Sequence, residues 1–145
     1  MPWPLYSEHQ SRKMNTRILI ADDDAVIRQL LRRILEEQPG WQVCGEASNG
    51  QDAVAQSQQL SPDVVVIDLA MPIMNGLQAG REIYKLTHRP MLLLTVQDVS
   101  PELVREARSA GFQGAISKSK GTEVVTGIEA LLREENFFQR PDLAS

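Results

Sequence analysis

The chain has 145 residues, 42% of them apolar and 23% charged, which is the length of one domain with enough apolar content for a single core. A formal net charge of −4 argues against a general polyanion-binding surface, and no run of about 18 apolar residues offers a membrane span. The single cysteine, Cys44, cannot close an internal disulfide, so a cytoplasmic location is expected.

Residues 1–15 lack the continuous apolar stretch of a secretory signal and read as a flexible leader. Arg17 to Ala21 then predicts a buried strand. From Ala25 to Glu37, Ile27, Leu30, Leu31, Ile34 and Leu35 recur at helical spacing until Pro39-Gly40. Trp41 to Glu46 predicts a second strand, and Ser48-Asn49-Gly50 supplies turn and cap residues for a helix reaching about Leu60. The β-branched run Val64 to Ile67 predicts a central strand. Asn75-Gly76 opens a third helix, about Leu77 to Leu86, and Pro90 to Thr95 predicts a fourth strand. Ser100-Pro101 starts a fourth helix that stops at Gly111. "GAISK", from Gly114, gives a short fifth strand, and Gly121 to about Glu135 a fifth helix. Residues 136–145 read as a tail or the start of a linker to an output domain outside this sequence. Phe137 and Phe138 either pack on the domain or meet a partner.

Five strands alternating with five helices over residues 16–135 predict an α/β fold. It is a doubly wound, flavodoxin-like parallel sheet of order 2-1-3-4-5, covered by helices on both faces. Such sheets bind ligands beyond the carboxyl ends of their strands. Those ends carry Asp22, Asp23 and Asp24 on strand one, Asp68 on strand three, Thr95 on strand four and Lys118 on strand five. Each has an ordinary alternative: Asp22 as a helix cap, Asp68 as a turn cap, Thr95 as a strand end, Lys118 as a solvated side chain. Asp24 is assigned the cap of the first helix.

Carboxylates 4 Å apart repel by about 4 kcal/mol at an effective dielectric near 20. Three oxygen donors without histidine or cysteine suit a hard cation, and Mg²⁺, which takes one or two carboxylates and keeps waters, fits best. A carboxylate beside such an ion can attack phosphorus, with a lysine and a hydroxyl on the phosphoryl oxygens. Neither GxGxxG nor GxxxxGK[ST] occurs, so a nucleotide loop at strand one is not expected.

"ILIADDDAVIRQLL", "PDVVVIDLAMPIMNG", "LLLT" and "GAISK" resemble the receiver (CheY-like) domain of bacterial two-component response regulators, from about Thr16 to Arg133. The wording is most similar to receivers of LuxR/FixJ-type DNA-binding regulators. The resemblance implies a phosphoacceptor at Asp68, and Mg²⁺ held by Asp22, Asp23, Asp68 and the backbone carbonyl of Ala70. It also implies a switch hydroxyl at Thr95 and a phosphoryl-contacting lysine at Lys118. The implied partner is a sensor histidine kinase, with a homodimer through helix 4, strand 5 and helix 5. Neither direct nucleic-acid binding by this domain nor membrane attachment is implied. Such a domain is not an enzyme in the usual sense, since it catalyses its own phosphorylation and slow dephosphorylation and so controls transcription through an output domain. The chain departs from the family at Ala115, where a switch aromatic is expected, and at Ser119, where many members carry proline. Two other readings stay open. "DDDAV" also fits the opening motif of haloacid-dehalogenase-type phosphatases, with Asp22 as nucleophile, and the domain could act as a binding module without phosphorylation.

Overall fold

A computed structural model describes residues 15–139, so the expected leader lies outside the described residues apart from Asn15. The alternating apolar runs and amphipathic segments resolve into β1 (Thr16–Ala21), α1 (Ala25–Glu36), β2 (Trp41–Ala47), α2 (Gly50–Leu60), β3 (Val64–Asp68) and α3 (Gly76–Thr87). There follow β4 (Met91–Thr95), α4 (Pro101–Ser109), β5 (Gly114–Ser117), a 3₁₀ turn at Lys118–Lys120, α5 (Glu123–Leu132) and β6 (Phe137–Phe138). The strands pair in parallel in the order β2-β1-β3-β4-β5-β6. The expected order of the first five therefore holds.

Side-chain alternation along each strand divides the core in two. Ile18, Ile20, Val66, Leu92, Leu94 and Ile116 face α1 and α5, while Leu19, Val65, Ile67, Met91, Leu93 and Ala115 face α2, α3 and α4. Every residue of β3 and β4 is buried, as central strands of a doubly covered sheet require. Four of the five helices begin where the caps predict, while α5 opens after Thr122 with no side-chain cap bond. Asp24 accepts from the Val26 and Ile27 amides, Asn49 from the Asp52 amide, and Ser100 from the Leu103 amide ahead of Pro101. Asn75 and Gln78 form a reciprocal capping box on α3. Among the described residues no helix is long and apolar enough to cross a membrane.

The sheet has six strands rather than the five read from the sequence. The last helix ends at Leu132 instead of near Glu135, because Glu134 takes a left-handed conformation (φ 64°) that turns the chain back. Phe137 then donates its amide to Gln113 O and Gln139 its amide to Ala115 O, each at 2.9 Å. Of the two placements open for Phe137 and Phe138, the domain takes both rings: Phe137 packs on one half of the core and Phe138 on the other.

One close approach aligns α3 with the end of β3. A Cβ on Gly76 would lie 2.3 Å from the carbonyl oxygen of Asp68, and both are backbone-borne, so neither can yield cheaply. At Gly121 a Cβ would meet nothing nearer than 3.6 Å. Gly76→Ala is expected to lower stability in urea unfolding by about 1–3 kcal/mol, as overpacking does, with Gly121→Ala close to neutral. Equal midpoints for the two variants would contradict this packing.

Candidate functional site

The strand ends deliver the side chains the sequence singles out. Asp22 follows β1, Asp68 is the last residue of β3, Thr95 the last of β4, and Lys118 follows β5. Ala21 stands in register with Ile67, Asp68 with Leu94, and Thr95 with Ser117, so Asp22 and Asp68 leave the sheet together while Thr95 and then Lys118 each lie one residue further along the same rim. Carboxylate oxygens of Asp22, Asp23 and Asp68 all lie within 4.8 Å of one another. Asp22 and Asp68 are buried and Asp23 is exposed.

Asp22 is held on every side. Its amide donates to Ala47 O at 3.0 Å, its carbonyl accepts from Arg28 Nη1 at 2.6 Å, and its Oδ1 accepts the Asp24 amide at 2.9 Å. Its Oδ2 has no partner of good hydrogen-bond geometry, yet Lys118 Nζ lies 2.7 Å away as an ion pair. The same ammonium is 3.1 Å from Asp68 Oδ1. Burial alone would lower the Lys118 pKa, but the pairing with Asp22 and Asp68 outweighs it and holds the ammonium above the ordinary lysine range. Lys118 therefore stays charged and bridges two carboxylates that would otherwise repel.

Asp68 faces a pocket of about 370 Å³ lined also by Asp23, Asp24, Leu69, Ala70, Thr95, Val96, Gln97 and Lys118. Asp22 does not line it. The Thr95 hydroxyl is buried and accepts the Gln97 amide at 3.2 Å, which leaves its proton to be donated. Val96 stands 73% exposed at the rim, so it does not close the pocket. The donor set is all oxygen and carries more negative charge than one ammonium balances, which suits Mg²⁺ with part of its water shell. A metal would be held by Asp22, Asp23 and Asp68.

All five sequence-singled side chains thus converge, with Ala70 beside them, and Asp24 caps α1. Sequence reasoning missed Arg28, whose guanidinium clamps the Asp22 carbonyl while its Nε donates to Glu46 Oε1 at 3.0 Å. It also missed Gln139, whose Oε1 accepts the Ser117 amide at 2.8 Å, directly before Lys118. A lone arginine in the first turns of a helix resembles any surface charge, and a glutamine in a tail carries no signal at all. Only the paired Phe137 and Phe138 marked that tail as something to bury.

Burial raises the Asp68 pKa to about 6, and the charge of Asp22 adds to it. The Lys118 ammonium and a backbone hydrogen bond from Ala70 pull the other way. A carboxyl whose folded pKa lies above its unfolded value of 3.8 binds its proton more tightly when folded. The stability this gives is complete below the unfolded value and is lost as the pH rises through the folded one. Asp68→Asn, neutral at every pH, is expected to be more stable than the parent at pH 7 without divalent metal, by up to about 3 kcal/mol. The gap should close as the pH falls below about 4, as urea unfolding at both pH values would register. Equal stabilities at pH 7 would refute the raised pKa.

The model of the response regulator receiver domain family matches residues 18–129. The chain is 38% identical over 105 residues to the chemotaxis protein CheY of Thermotoga maritima, covering 72% of this chain and 87% of that protein. It is 37% identical over 123 residues to the response regulator UvrY of Escherichia coli, covering 83% and 56% respectively. A solved two-component response regulator of the LuxR family, from Aurantimonas sp. SI85-9A1, superposes with a TM-score of 0.82 at 32% identity, covering 90% of this chain and 93% of that one. The chain spans only 21% of a protein-glutamate methylesterase/protein-glutamine glutaminase of Alkalilimnicola ehrlichii, to which 82 residues align at 44% identity. The matched span contains both acids of strand one, the strand-three aspartate, Thr95 and Lys118, on a flavodoxin-like parallel sheet. The chain belongs to the response regulator receiver domain family.

Proposed function

We propose that Asp68 is the phosphoacceptor of a two-component signalling protein and that a sensor histidine kinase is its donor. The observation that carries this reading is the Lys118 ammonium set between Asp22 and Asp68 at the rim of the sheet, with Asp23 alongside. Only Asp68 of the two buried acids opens onto the pocket, which fits a nucleophile there and speaks against Asp22 in the phosphatase role. An oxygen of the Asp68 carboxylate attacks phosphorus, the phosphorus–nitrogen bond of the donor breaks, and its electron pair stays on the leaving imidazole. Mg²⁺, when bound by Asp22, Asp23, Asp68 and the Ala70 carbonyl, supplies charge neutralisation for the phosphoryl oxygens. Lys118 pairs with one of those oxygens and Thr95 donates its hydroxyl proton to another.

Beside the acids, Ile27, Leu30, Leu31 and Ile34 of α1 form an apolar groove with Leu94, Ile116, Gly121 and Val124 that shares Lys118 with the acidic pocket. Leu30 is 51% exposed and Val26 67%. An apolar apron at the mouth of a charged site suits a protein donor better than a small one. The phosphoryl group then biases a two-state surface that governs an output domain, for which LuxR-type transcription control is the proposed role. A homodimer through α4, β5 and α5 would have to include β6, which occupies the outer edge of β5.

Incubation with acetyl phosphate and Mg²⁺ is expected to add one phosphoryl group to the intact chain, by mass spectrometry. Asp68→Asn and chelation of the metal should each abolish the adduct, while Lys118→Ala slows its formation about tenfold or more, the usual scale for losing an electrostatic contact in a transition state. Labelling that survives in Asp68→Asn and disappears in Asp22→Asn would mark a phosphatase instead. An unchanged mass would mark a binding module.

A further inference from the structure

The short strand at the end of the described chain is seated in a place shaped for it. Gly114 on β5 has no room for a side chain, since a Cβ there would lie 2.6 Å from the Phe137 carbonyl oxygen, and a Cβ on Gly127 of α5 would lie 3.2 Å from the Phe137 ring. The neighbouring β5 residue is the small Ala115, which pairs in register with Phe138. Phe138 packs against the core cluster that contains Ala115 and Val99, and the guanidinium of Arg108 on α4 lies 4.7 Å from its ring centroid. An aromatic ring thus sits next to strand five after all, supplied by residue 138 rather than by strand five itself.

The strand is also tied to the acidic pocket by a short run of contacts. Gln139 Oε1 accepts the Ser117 amide at 2.8 Å, and its Nε2 donates to Glu123 Oε2 at 2.5 Å, at the start of α5. Ser117 stands in register with Thr95 and is bonded covalently to Lys118, whose ammonium holds Asp22 and Asp68. From Asp68 to Gln139 the path has one ion pair, one peptide link and one hydrogen bond. The ladder that holds β6 is correspondingly short: two register pairs with β5, whose flanking amides Phe137 and Gln139 bond to Gln113 O and Ala115 O, and the glutamine side chain.

We propose that β6 is a latch whose docking on β5 is coupled to the phosphoacceptor through Ser117 and Lys118. Phosphorylation of Asp68 then loosens it and uncovers the outer edge of β5. This rests on the receiver reading above. A phosphoryl group on Asp68 moves the negative charge outward and draws Lys118 and the Thr95 hydroxyl toward itself. Both are joined to Ser117, one by a peptide bond and one by strand register, so the Ser117 amide shifts away from Gln139. Coupling of this kind is reciprocal: whatever loosens the latch favours the phosphorylated state by the same factor.

Hydrogen exchange read by NMR on the full chain tests the proposal. With beryllofluoride and Mg²⁺, the Phe137 and Gln139 amides should exchange about threefold or more faster, while the amides of β2 stay unchanged. Lys118→Ala should accelerate the same two amides with no phosphoryl mimic present, and Gln139→Ala should bind beryllofluoride about threefold or more tightly than the parent. Unchanged or slower exchange in both the loaded protein and Lys118→Ala, or equal beryllofluoride affinity in Gln139→Ala, overturns the latch. Should Asp68 take up no beryllofluoride while Lys118→Ala still frees Phe137 and Gln139, the coupling stands and the phosphoacceptor reading falls.

Discussion

One ammonium group holds the working rim of this protein together. Asp22 and Asp68 project from the ends of adjacent strands into a buried space, where two carboxylates without a counter-charge would repel each other. Lys118 reaches both, and their pull keeps it charged despite its own burial. It does not complete the neutralisation, for the Asp68 pKa still stands near 6, raised by burial and by Asp22. A rim that is nearly but not fully balanced is suited to take up further positive charge, and a cation entering by Asp23 would supply it.

The rest of the fold can be understood as what keeps these ends in place. A parallel sheet covered on both faces buries its central strands entirely, so β3 and β4 have no freedom to slip against each other without turning apolar side chains the wrong way. The register therefore fixes where each strand-end residue stands along the rim. Helices begin immediately beyond the rim, under caps at Asp24, Asn49 and Asn75, and the backbone of α3 comes so near the Asp68 carbonyl that only glycine fits at position 76.

Most of this was legible in the residues. β-branched runs marked the central strands and helical spacing marked the helices. The rule that ligands gather at the carboxyl ends of parallel strands then turned that reading into a site containing Asp22, Asp23, Asp68, Thr95 and Lys118. What escaped was non-local or chemically unspecific. The sixth strand is two residues long, too short for periodicity to register, and its pairing with β5 depends on Glu134 adopting a left-handed turn that no glycine or asparagine announces. Gly114, Ala115 and Gln139 each look unremarkable alone. Their meaning appears only when the chain is seen to return alongside β5.

Arg28 illustrates a different kind of silence. Its guanidinium spans from the Asp22 carbonyl to Glu46 at the end of β2, and Glu46 is shared with Arg32, so two helical arginines brace the loop that presents the acid pair. Burial would raise the Glu46 pKa, but hydrogen bonds from Arg32 and Arg28 hold it below the usual glutamate range, and the brace stays ionised at neutral pH. Because Arg28 grips a backbone carbonyl and not a carboxylate oxygen, it fixes the direction of Asp22 without taking up the negative charge that a cation needs. A positive group bonded to the carboxylates themselves would compete with that cation, as Lys118 does in part. One lysine on the carboxylates and one arginine on the backbone divide the two demands, charge balance and orientation, between side chains that do not interfere with each other.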